Sequence, residues 1–405
     1  MRLPDSDGAG PVQPSATITT PLTILMAAAC GAIAANLYYA QPLIALIGPD
    51  IGLSPALASL VVTLTQLGYG VGLILLVPLG DIVENRRLIL TAVGFTALAL
   101  LLAAIAPSAL PFLGAVLFIG ACASVAQILV PMAAHMADDA TRGRTVGNVM
   151  GGLLIGIMFA RPISGLLADW IGWRGVFLGS GVLMIALMLL LMRFLPRRAP
   201  VSGHSYREVI GSLWPILRDT PPLQRRALYQ FALFADFSLF WTSVPLELAG
   251  PPFHLSQTEI ALFALAGAAG ALSAPIAGRL ADRGHVQIGT GVVILGTFLA
   301  FALSGFAAIG SIAALLVAAI VIDFFVQGNT VFGQRVLYTL SPAIRGRLSG
   351  IYVAIFFMGG AVGSAIASPL YENFGWNGVL AAGLAFPLIA FVAYLTEFTA
   401  AGRPR

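Results

Sequence analysis

Three charged side chains fall inside long apolar stretches of the sequence: Asp236, Asp323 and Arg161. A charge at the centre of a bilayer costs about 2.5–3.5 kcal/mol or more, so such residues are usually paired, hydrated or functional. A carboxylate at this depth can bind and release a proton. We therefore expect either Asp236 or Asp323 to exchange a proton for a solute. The alternative for these carboxylates is a buried structural pair, and for Arg161 a brace against a carboxylate such as Glu247.

The composition indicates which elements hold these charges. Of the 405 residues, 59% are apolar and only 9% are charged, whereas about a quarter of the residues of a soluble protein are charged. This balance excludes a soluble enzyme, a nucleic-acid-binding protein and a disordered protein. About 20 apolar residues suffice to cross a bilayer as a helix. Twelve such runs occur, at 22–47, 56–79, 88–106, 110–137, 145–167, 175–195, 227–248, 260–281, 286–307, 312–337, 348–369 and 378–396.

The basic residues predict the orientation of these helices. All 21 of them are Arg, and 19 share one side of the membrane if the helices alternate in direction. Of the other two, Arg174 lies on the opposite side and Arg161 within a helix. Cytoplasmic loops are enriched in basic residues. We therefore predict an integral protein of the bacterial cytoplasmic (inner) membrane with both termini in the cytoplasm.

A repeat at an offset of 203 residues divides the chain into two halves. Arg142-Gly143-Arg144 recurs as Arg345-Gly346-Arg347, and Gly172-Trp173 recurs as Gly375-Trp376. Because both halves have the same direction, this is a parallel repeat. The predicted fold is an all-α polytopic membrane protein with twelve transmembrane helices in two six-helix bundles. Its predicted units are a disordered cytoplasmic N-terminal tail at 1–21, the N-terminal bundle at 22–195, a cytoplasmic central loop at 196–226, the C-terminal bundle at 227–396 and a cytoplasmic C-terminal tail at 397–405.

Two short patterns predict local structure. Glycine pairs spaced four residues apart favour close helix packing, and we expect them to lie between the halves, where they would let the halves rock. The pairs are Gly68/Gly72, Gly152/Gly156 and Gly359/Gly363. The basic central loop predicts a segment held at an anionic membrane surface, with a short interfacial helix around Ser205–Leu217.

The loops after the second and eighth predicted helices carry a family resemblance. The segment Gly278-Arg279-Leu280-Ala281-Asp282-Arg283-Gly284 resembles the loop signature Gly-x-Leu-Ala-Asp-Arg of the major facilitator superfamily, and the segment from Pro78 to Arg87 is a more divergent copy. The resemblance covers nearly the whole chain. It implies a secondary transporter that works by alternating access around a central cavity. Gly147, Gly156 and Gly165 partly resemble the helix-five motif of the drug/proton antiporters, which implies export.

The sequence departs from the antiporter pattern in two helices. Val116 stands near the position of the antiporters' buried arginine in the fourth helix, and Ala160-Arg161-Pro162 replaces their Gly-Pro in the fifth. A mechanism copied from the drug-efflux members would therefore lack its proton-relay residue in the fourth helix.

The resemblance also implies that charged loop residues hold one conformation. Asp81 is expected to pair with nearby arginines or to face the N-terminal end of the eleventh helix. Such a contact would stabilise the outward-open or outward-occluded state, and Asp282 would act in the same way. The alternative is a set of solvated loop charges. The predicted latch residues are Asp81, Arg86, Arg87, Arg142, Arg144, Asp282, Arg283, Arg345 and Arg347.

The resemblance also implies that the first, fourth, seventh and tenth helices line the cavity. On the seventh, Asp236, Phe240, Ser243 and Glu247 share one helical face. Amides, hydroxyls, rings and carboxylates suit an organic solute with an apolar body and a polar or cationic part, although Tyr38 and Trp241 could instead anchor helices at the membrane interface. The candidate residues for solute and proton binding are Asn36, Tyr38, Tyr39, Gln41, Gln127, Arg161, Asp236, Trp241, Ser243, Glu247, Asp323 and Gln327.

The leading hypothesis is a proton-coupled exporter of a small organic solute. The alternatives are a proton-coupled importer of a sugar or small metabolite, and a membrane scaffold or sensor that does not transport. An enzyme is not expected, because the sequence contains no nucleophile with a base, no phosphate-binding loop and no metal-site pattern. We predict no cofactor and no nucleic-acid partner. The expected partners of a monomeric protein are the solute, protons and the lipid bilayer.

Overall fold

A computed structural model describes residues 18–138, 141–197, 205–341 and 344–401. In this part of the chain, nine helical segments are long and apolar enough to cross a membrane. Two of them, Arg142–Phe194 and Arg345–Phe398, have 53 and 54 residues. Each contains a glycine with positive φ, 69° at Gly172 and 60° at Gly375, where one helix ends and the next begins. Counting both parts of each, together with the shorter apolar helix that starts at Thr20, gives the twelve predicted helices.

We number the membrane helices α1 to α12. The first, α1, comprises Thr20–Ala35, an irregular segment that includes the 3-10 turn Gln41–Leu43, and Ile44–Asp50. Pro42 lacks the N–H that a regular helix would need there. The others in the first half are α2 (Pro55–Asp81), α3 (Asn85–Ile105), α4 (Ala109–Met136), α5 (142–171) and α6 (173–194). The second half contains α7 (Pro221–Ala249), α8 (Gln257–Asp282), α9 (Val286–Ala307), α10 (Ile312–Leu340), α11 (345–374) and α12 (376–401).

A further helix, Tyr206–Asp219, connects the halves, and we call it the linker helix. It begins with a capping box in which Ser205 and Glu208 exchange hydrogen bonds, the pattern that starts many helices. Most of the predicted N-terminal tail, part of the central loop and the last four residues, at 1–17, 198–204 and 402–405, lie outside the described residues. Because six membrane helices precede the linker helix and six follow it, the start of α1 and the end of α12 lie on the same side as the linker helix. We call it the linker side and the opposite side the far side.

The glycine pairs bring helix backbones together within each half. An alanine Cβ at Gly152 would meet the backbone of Ala27 in α1, and one at Gly363 would overlap the backbone of Ala235 in α7. Gly68 of α2 lies equally close to Leu117 of α4. The predicted close approach is therefore confirmed. The expectation that these pairs lie between the halves is wrong, because spacing specifies a smooth helix surface but not its partner.

The halves contact each other on the far side through α2 and α11. The backbone N–H of Ser59 donates to Oγ of Ser368 (3.1 Å), and the N–H of Ser368 donates to Oγ of Ser59 (3.4 Å). One turn deeper, the hydroxyls of Thr63 and Ser364 lie 3.1 Å apart. A second far-side contact joins α8 to α5, where the Thr258 hydroxyl donates to Asp169. The far-side ends of the two bundles are therefore held together.

The linker-side ends of the same helices have more space around them. An alanine Cβ at Gly147 or Gly151 of α5, at Gly278 of α8 or at Gly350 of α11 would have no heavy atom within 4 Å among the described residues. The linker helix bridges this side. The Tyr206 hydroxyl donates to the backbone of Leu75 in α2 (2.9 Å), and Arg347 of α11 donates to Ser212 (2.9 Å). The structure is thus closed toward the far side.

Candidate functional site

Arg161 of α5 lies between the two halves, and it is only 3% exposed. Its guanidinium carbon is 4.8 Å from the ring centre of Tyr38, 5.2 Å from that of Phe237 and 4.6 Å from that of Trp241. Its Nε donates a 2.6 Å hydrogen bond to Oε1 of Gln41. Aromatic faces attract cations, most strongly where water is excluded. The charge of Arg161 is therefore stabilised by three rings and one amide.

Asp323 of α10 approaches the same space from the other half. Its Oδ2 accepts a 2.6 Å hydrogen bond from the indole N–H of Trp241. An alanine Cβ at Gly267 of α8 would lie 3.2 Å from Oδ1 of Asp323 and 3.6 Å from Nη1 of Arg161. The carboxylate and the guanidinium therefore flank one small gap at the backbone of α8. We call Gln41, Arg161, Trp241 and Asp323 the central cluster.

Local features of the sequence explain how these side chains meet. The segment Leu265–Leu272 of α8 is a 3-10 helix rather than an α-helix. Its Gly270 allows close approach of α10, because an added Cβ would lie 3.2 Å from Cβ and 3.2 Å from the carbonyl oxygen of Asp323. In α1, the irregular segment ends with the short turn that carries Gln41. Irregular backbone inside a membrane is tolerated where it is buried in protein or lines a cavity, which is consistent with a binding region here.

A small cavity of about 10 Å³ adjoins the central cluster on the far side. This is enough space for about one water molecule. Its walls include Pro42 and Pro245, which occupy equivalent positions of the repeat. Two buried donor atoms nearby, Nε2 of Gln41 and Nη2 of Arg161, have no hydrogen-bond partner in the described part of the chain. The cluster can therefore accept a polar group, but only after the surrounding helices or rings move.

Asp236 lies on a different face of α7 from Trp241. It is fully buried, and neither carboxylate oxygen has a hydrogen-bond partner among the described residues. Its helical face carries Tyr229, which donates to Glu397 of α12 (2.9 Å). The same face carries Phe240, whose ring contacts aromatic rings of α9 and α12. Asp236 therefore points into the C-terminal bundle, while Asp323 belongs to the central cluster.

Four further predicted residues make contacts within one half. Asn36 donates to the carbonyl oxygens of Ala32 (2.9 Å) and Ile33 in its own helix. Such a bond competes with regular helix hydrogen bonding. The remaining three lie near polar groups of neighbouring helices: Tyr39 near Ser180, Gln127 at 3.0 Å from the Tyr69 hydroxyl, and Glu247 near Tyr371.

Two more predicted residues lie on α7 and α10 outside the central cluster. Ser243 is fully buried, and its hydroxyl has no partner within the described ranges. Gln327 is half-buried one turn beyond Asp323 in α10. Tyr38, by contrast, contacts the central cluster directly through the ring under Arg161. The structure thus brings together five of the twelve candidate residues.

Several polar residues near the middle of the membrane were not among the candidates. Gln66 of α2 donates to Ser238 of α7 (2.9 Å) and so joins the halves. Gln230 of α7 donates to Thr330 of α10 (2.7 Å), and Asn329 donates back to Gln230 (2.6 Å). Amides inside apolar runs are visible in the sequence and could have been found there. The ring of Phe237 at Arg161 had no such signal.

Several predicted latch residues contact groups at the linker-side ends of their own or neighbouring helices. Arg87 pairs with Glu84 (3.1 Å), and Asp282 pairs with Arg335 of α10 (2.9 Å). Three of the arginines donate to backbone carbonyls, whereas Arg347 donates to the Ser212 hydroxyl. The guanidinium groups of Arg86, Arg142 and Arg345 donate to Met192, Ala134 and Tyr338 respectively. Asp81, Arg144 and Arg283 are exposed on the linker side.

Among the described residues, no group of three or more His, Cys, Asp and Glu side chains is placed to hold a metal ion. The two cysteines, Cys30 and Cys122, are free and buried.

Comparisons with known proteins agree with this architecture. Residues 24–283 and 226–404 match the Major Facilitator Superfamily. The chain is 40% identical over 387 residues to the "Uncharacterized transporter YgaY" of Escherichia coli O157:H7, which covers 95% of this chain and 98% of that protein. It is 34% identical over 396 residues to the "Probable transporter SCO4007" of Streptomyces coelicolor, covering 96% and 90%. A crystal structure of the nucleoside transporter NupG superposes with a TM-score of 0.74 at 15% identity, covering 93% of this chain and all of that one. At this identity the similarity to NupG concerns the fold alone.

Proposed function

We propose that this chain, which belongs to the major facilitator superfamily, moves a small organic solute by alternating access. We further propose that it couples this movement to protons. The family consists of secondary transporters and not of enzymes. The observation that carries the proposal is the central cluster. Arg161 from one half and Asp323 from the other flank one buried gap, and donor atoms of Arg161 and Gln41 are left without partners.

The packing of the two halves supports alternating access. Hydrogen bonds between α2 and α11 close the far side, while glycines at the linker-side ends of α5, α8 and α11 have space around them. A solute would reach the central cluster from the linker side in this conformation. Opening the far side requires breaking the bonds between Ser59, Thr63, Ser364 and Ser368. Each of these neutral hydrogen bonds has a net value of only about 0.5–1.5 kcal/mol, and the bond from Thr258 to the Asp169 carboxylate must break as well.

Asp323 is our first candidate for the proton site. When ionised, it attracts Arg161. When a proton neutralises it, the guanidinium becomes available to another group. Asp236 is the second candidate, because a buried ionised carboxylate without a partner is costly and a bound proton removes that cost. The two candidates differ in mechanism, since only Asp323 would link the proton directly to the solute at the central cluster.

The direction of transport follows from which groups bind together. Export by proton antiport, the direction suggested by the partial antiporter motif, is one candidate. In the structure Gly156 packs against Gly31 of α1 and Gly165 against Ala261 of α8, so both serve helix packing. The central cluster favours the other candidate, proton symport. A proton on Asp323 and a solute on Arg161 would be carried together, which gives symport and, with an inward proton gradient, uptake.

Sidedness and assembly complete the proposal. We place both termini and the linker side in the cytoplasm of a bacterial cell, because the topology predicted from the sequence puts 19 of the 21 arginines on that side and basic loops stay in the cytoplasm. We propose that one chain is the transporting unit, since the central cluster is built from the two halves of a single chain. Labelling of single introduced cysteines from outside the cell, in a variant without the two native ones, tests the sidedness.

The test is proton flux in liposomes that contain the purified protein and a pH-sensitive dye. Pooled solutes are added under an imposed proton gradient, with protein-free liposomes as the baseline. We expect solute-dependent proton movement, whose sign relative to the solute separates symport from antiport. Asp323→Asn should abolish proton movement while solute counterflow persists, and the exposed Glu372→Gln is the matched control.

Two results would overturn parts of this proposal. Undiminished proton flux in both Asp323→Asn and Asp236→Asn would remove both carboxylates from coupling. Absence of counterflow with any solute, from folded protein, would instead support a scaffold or sensor that does not transport.

A further inference from the structure

Two arginines, Arg161 and Arg226, are buried among the described residues, and they have different environments. Arg226 of α7 forms an ion pair with Glu397 (3.6 Å) and donates to the Thr290 hydroxyl (2.6 Å). Arg161 has no carboxylate oxygen within 4.0 Å in the part of the chain that the structure describes, and its Nη2 has no acceptor. Arg226 is therefore satisfied by its own bundle, whereas Arg161 retains an unused donor between the bundles.

Apart from the Asp323 carboxylate across the gap, the unpartnered groups beside Arg161 in the described part of the chain are donors. Because Oε1 of Gln41 accepts from Nε of Arg161, the amide Nε2 of Gln41 lies beside the guanidinium, and it too has no partner. An arginine is always charged and offers donors only. Two adjacent donor groups, one of them cationic, match an acceptor-only anion, and carboxylates bind guanidinium groups with charge-assisted hydrogen bonds. An alcohol could accept only weakly, and once a proton neutralises Asp323 an amine would be repelled by the guanidinium.

The walls around these donors are apolar. The cavity beside Arg161 is lined by Val244, Ile260 and Phe263 as well as the ring of Trp241. Rings of Tyr38 and Phe237 cover the other sides of the guanidinium. A solute bound here would place its charged end on Arg161 and the rest of its surface against these rings and aliphatic groups. Such walls favour an aromatic or similarly apolar body.

We propose that the solute is an organic monocarboxylate with an apolar, preferably aromatic body, that the surrounding helices or rings move to admit it, and that its carboxylate binds Arg161 and Gln41. This inference rests on the proposed function and specifies its solute. One carboxylate is expected because one cation faces the gap. Asp323 competes with the solute for Arg161 while it is ionised, so solute and proton bind together. The transported pair is then one anion and one proton, with no net charge.

The experiment measures binding to the purified full-length protein by isothermal titration calorimetry. Three probes of similar shape are compared: phenylacetate, 2-phenylethanol and 2-phenylethylamine. We expect saturable binding of phenylacetate alone, and acetate, which lacks the ring, should bind much more weakly. Arg161→Gln should weaken phenylacetate binding roughly 10- to 100-fold, the usual value of hydrogen bonds to a charged group.

Two further variants keep the test decisive if Arg161→Gln does not fold. Arg161→Lys retains a cation but loses the planar donor set, and it should weaken binding while the ranking of the three probes stays the same. The exposed Arg193→Gln is the matched control and should bind phenylacetate normally. Equal binding of the alcohol or the amine, no saturable binding of phenylacetate, or normal binding by a folded Arg161→Gln would each overturn the inference.

Liposome measurements separate this inference from the proposed function. If 2-phenylethylamine drives proton-coupled counterflow and phenylacetate does not, the protein is a transporter and the inferred solute class is wrong. If phenylacetate binds through Arg161 but no solute crosses the membrane, the solute class holds and the transport proposal fails. Proton and phenylacetate moving in the same direction, above the protein-free baseline, is the result that supports both.

Discussion

Replacing Gly152 by alanine tests whether backbone contact between α1 and α5 supports the central cluster. The new Cβ would lie 2.6 Å from the carbonyl carbon and 2.8 Å from Cα of Ala27. Non-bonded carbons pack at about 3.5–4.0 Å, so the two helices would have to separate by about 1 Å. The preceding residue, Gly151, has no heavy atom within 4 Å of the same added atom. Gly151→Ala is therefore a matched control one position away.

The magnitude follows from comparing the two variants. Both gain the helix propensity of alanine over glycine, about 1 kcal/mol. Overpacking a close contact costs about 1–3 kcal/mol, and only Gly152→Ala incurs it. We therefore expect Gly152→Ala to be less stable than Gly151→Ala by about 1–3 kcal/mol. The 2.6 Å hydrogen bond from Arg161 to Gln41 joins the same two helices, so solute binding should weaken in Gly152→Ala as well.

The assay is reversible unfolding of both purified variants in mixed micelles, followed by circular dichroism during a titration with sodium dodecyl sulfate. Solute counterflow in liposomes gives the functional readout for the same preparations. Equal stability of the two variants would refute the reasoning, because it would mean that the α1–α5 distance is not set by this backbone contact. Lower stability with unchanged solute binding would separate helix packing from the central cluster.

Three further predictions concern charged groups in different environments. Trp241→Phe keeps a ring beside Arg161 but removes the N–H that donates a 2.6 Å hydrogen bond to Asp323. The same assay should show that the free energy of unfolding falls by about 1.5–3 kcal/mol. An unchanged free energy of unfolding would indicate that this bond does not stabilise the protein. Asp282→Asn breaks a pair with Arg335 whose side chains are 68% and 51% exposed, so the same titration should show a change of less than about 1 kcal/mol. Asp236→Asn should leave the affinity for the transported solute unchanged by calorimetry, because its carboxylate points away from the central cluster, and a tenfold loss would contradict that placement.

The fold was predictable because the membrane limits the alternatives. Every backbone N–H and C=O in lipid must be bonded within its own segment, so runs of about 20 apolar residues specify helices almost directly. The repeat adds the relation between the halves, and even the two glycine kinks recur, at Gly172 and Gly375. The irregular segment of α1 around Gln41 was less visible, because a single Pro42 in an apolar run does not show how far a helix is interrupted.

The partner of each helix face could not be derived from spacing alone. A small residue every fourth position predicts a surface that permits close approach, and this was confirmed at all three glycine pairs. The same spacing does not distinguish a neighbour in the same bundle from one in the opposite bundle. That choice depends on all helices packing at once. The pairs consequently support rigid bundles rather than a sliding surface between them.

The rotation of α7 explains why its two functional candidates diverge. Periodicity correctly places Asp236 and Phe240 on one face, but it does not determine which neighbour that face meets. Close packing of Gly359 and Gly363 in α11 against the backbone of α7 sets the rotation of that helix. Trp241, five residues and about 140° around the helix from Asp236, is thereby turned toward Arg161. The glycines of α11 thus determine which side chain of α7 joins the central cluster. For this reason Asp236 and Trp241 have different neighbours although they are close in sequence.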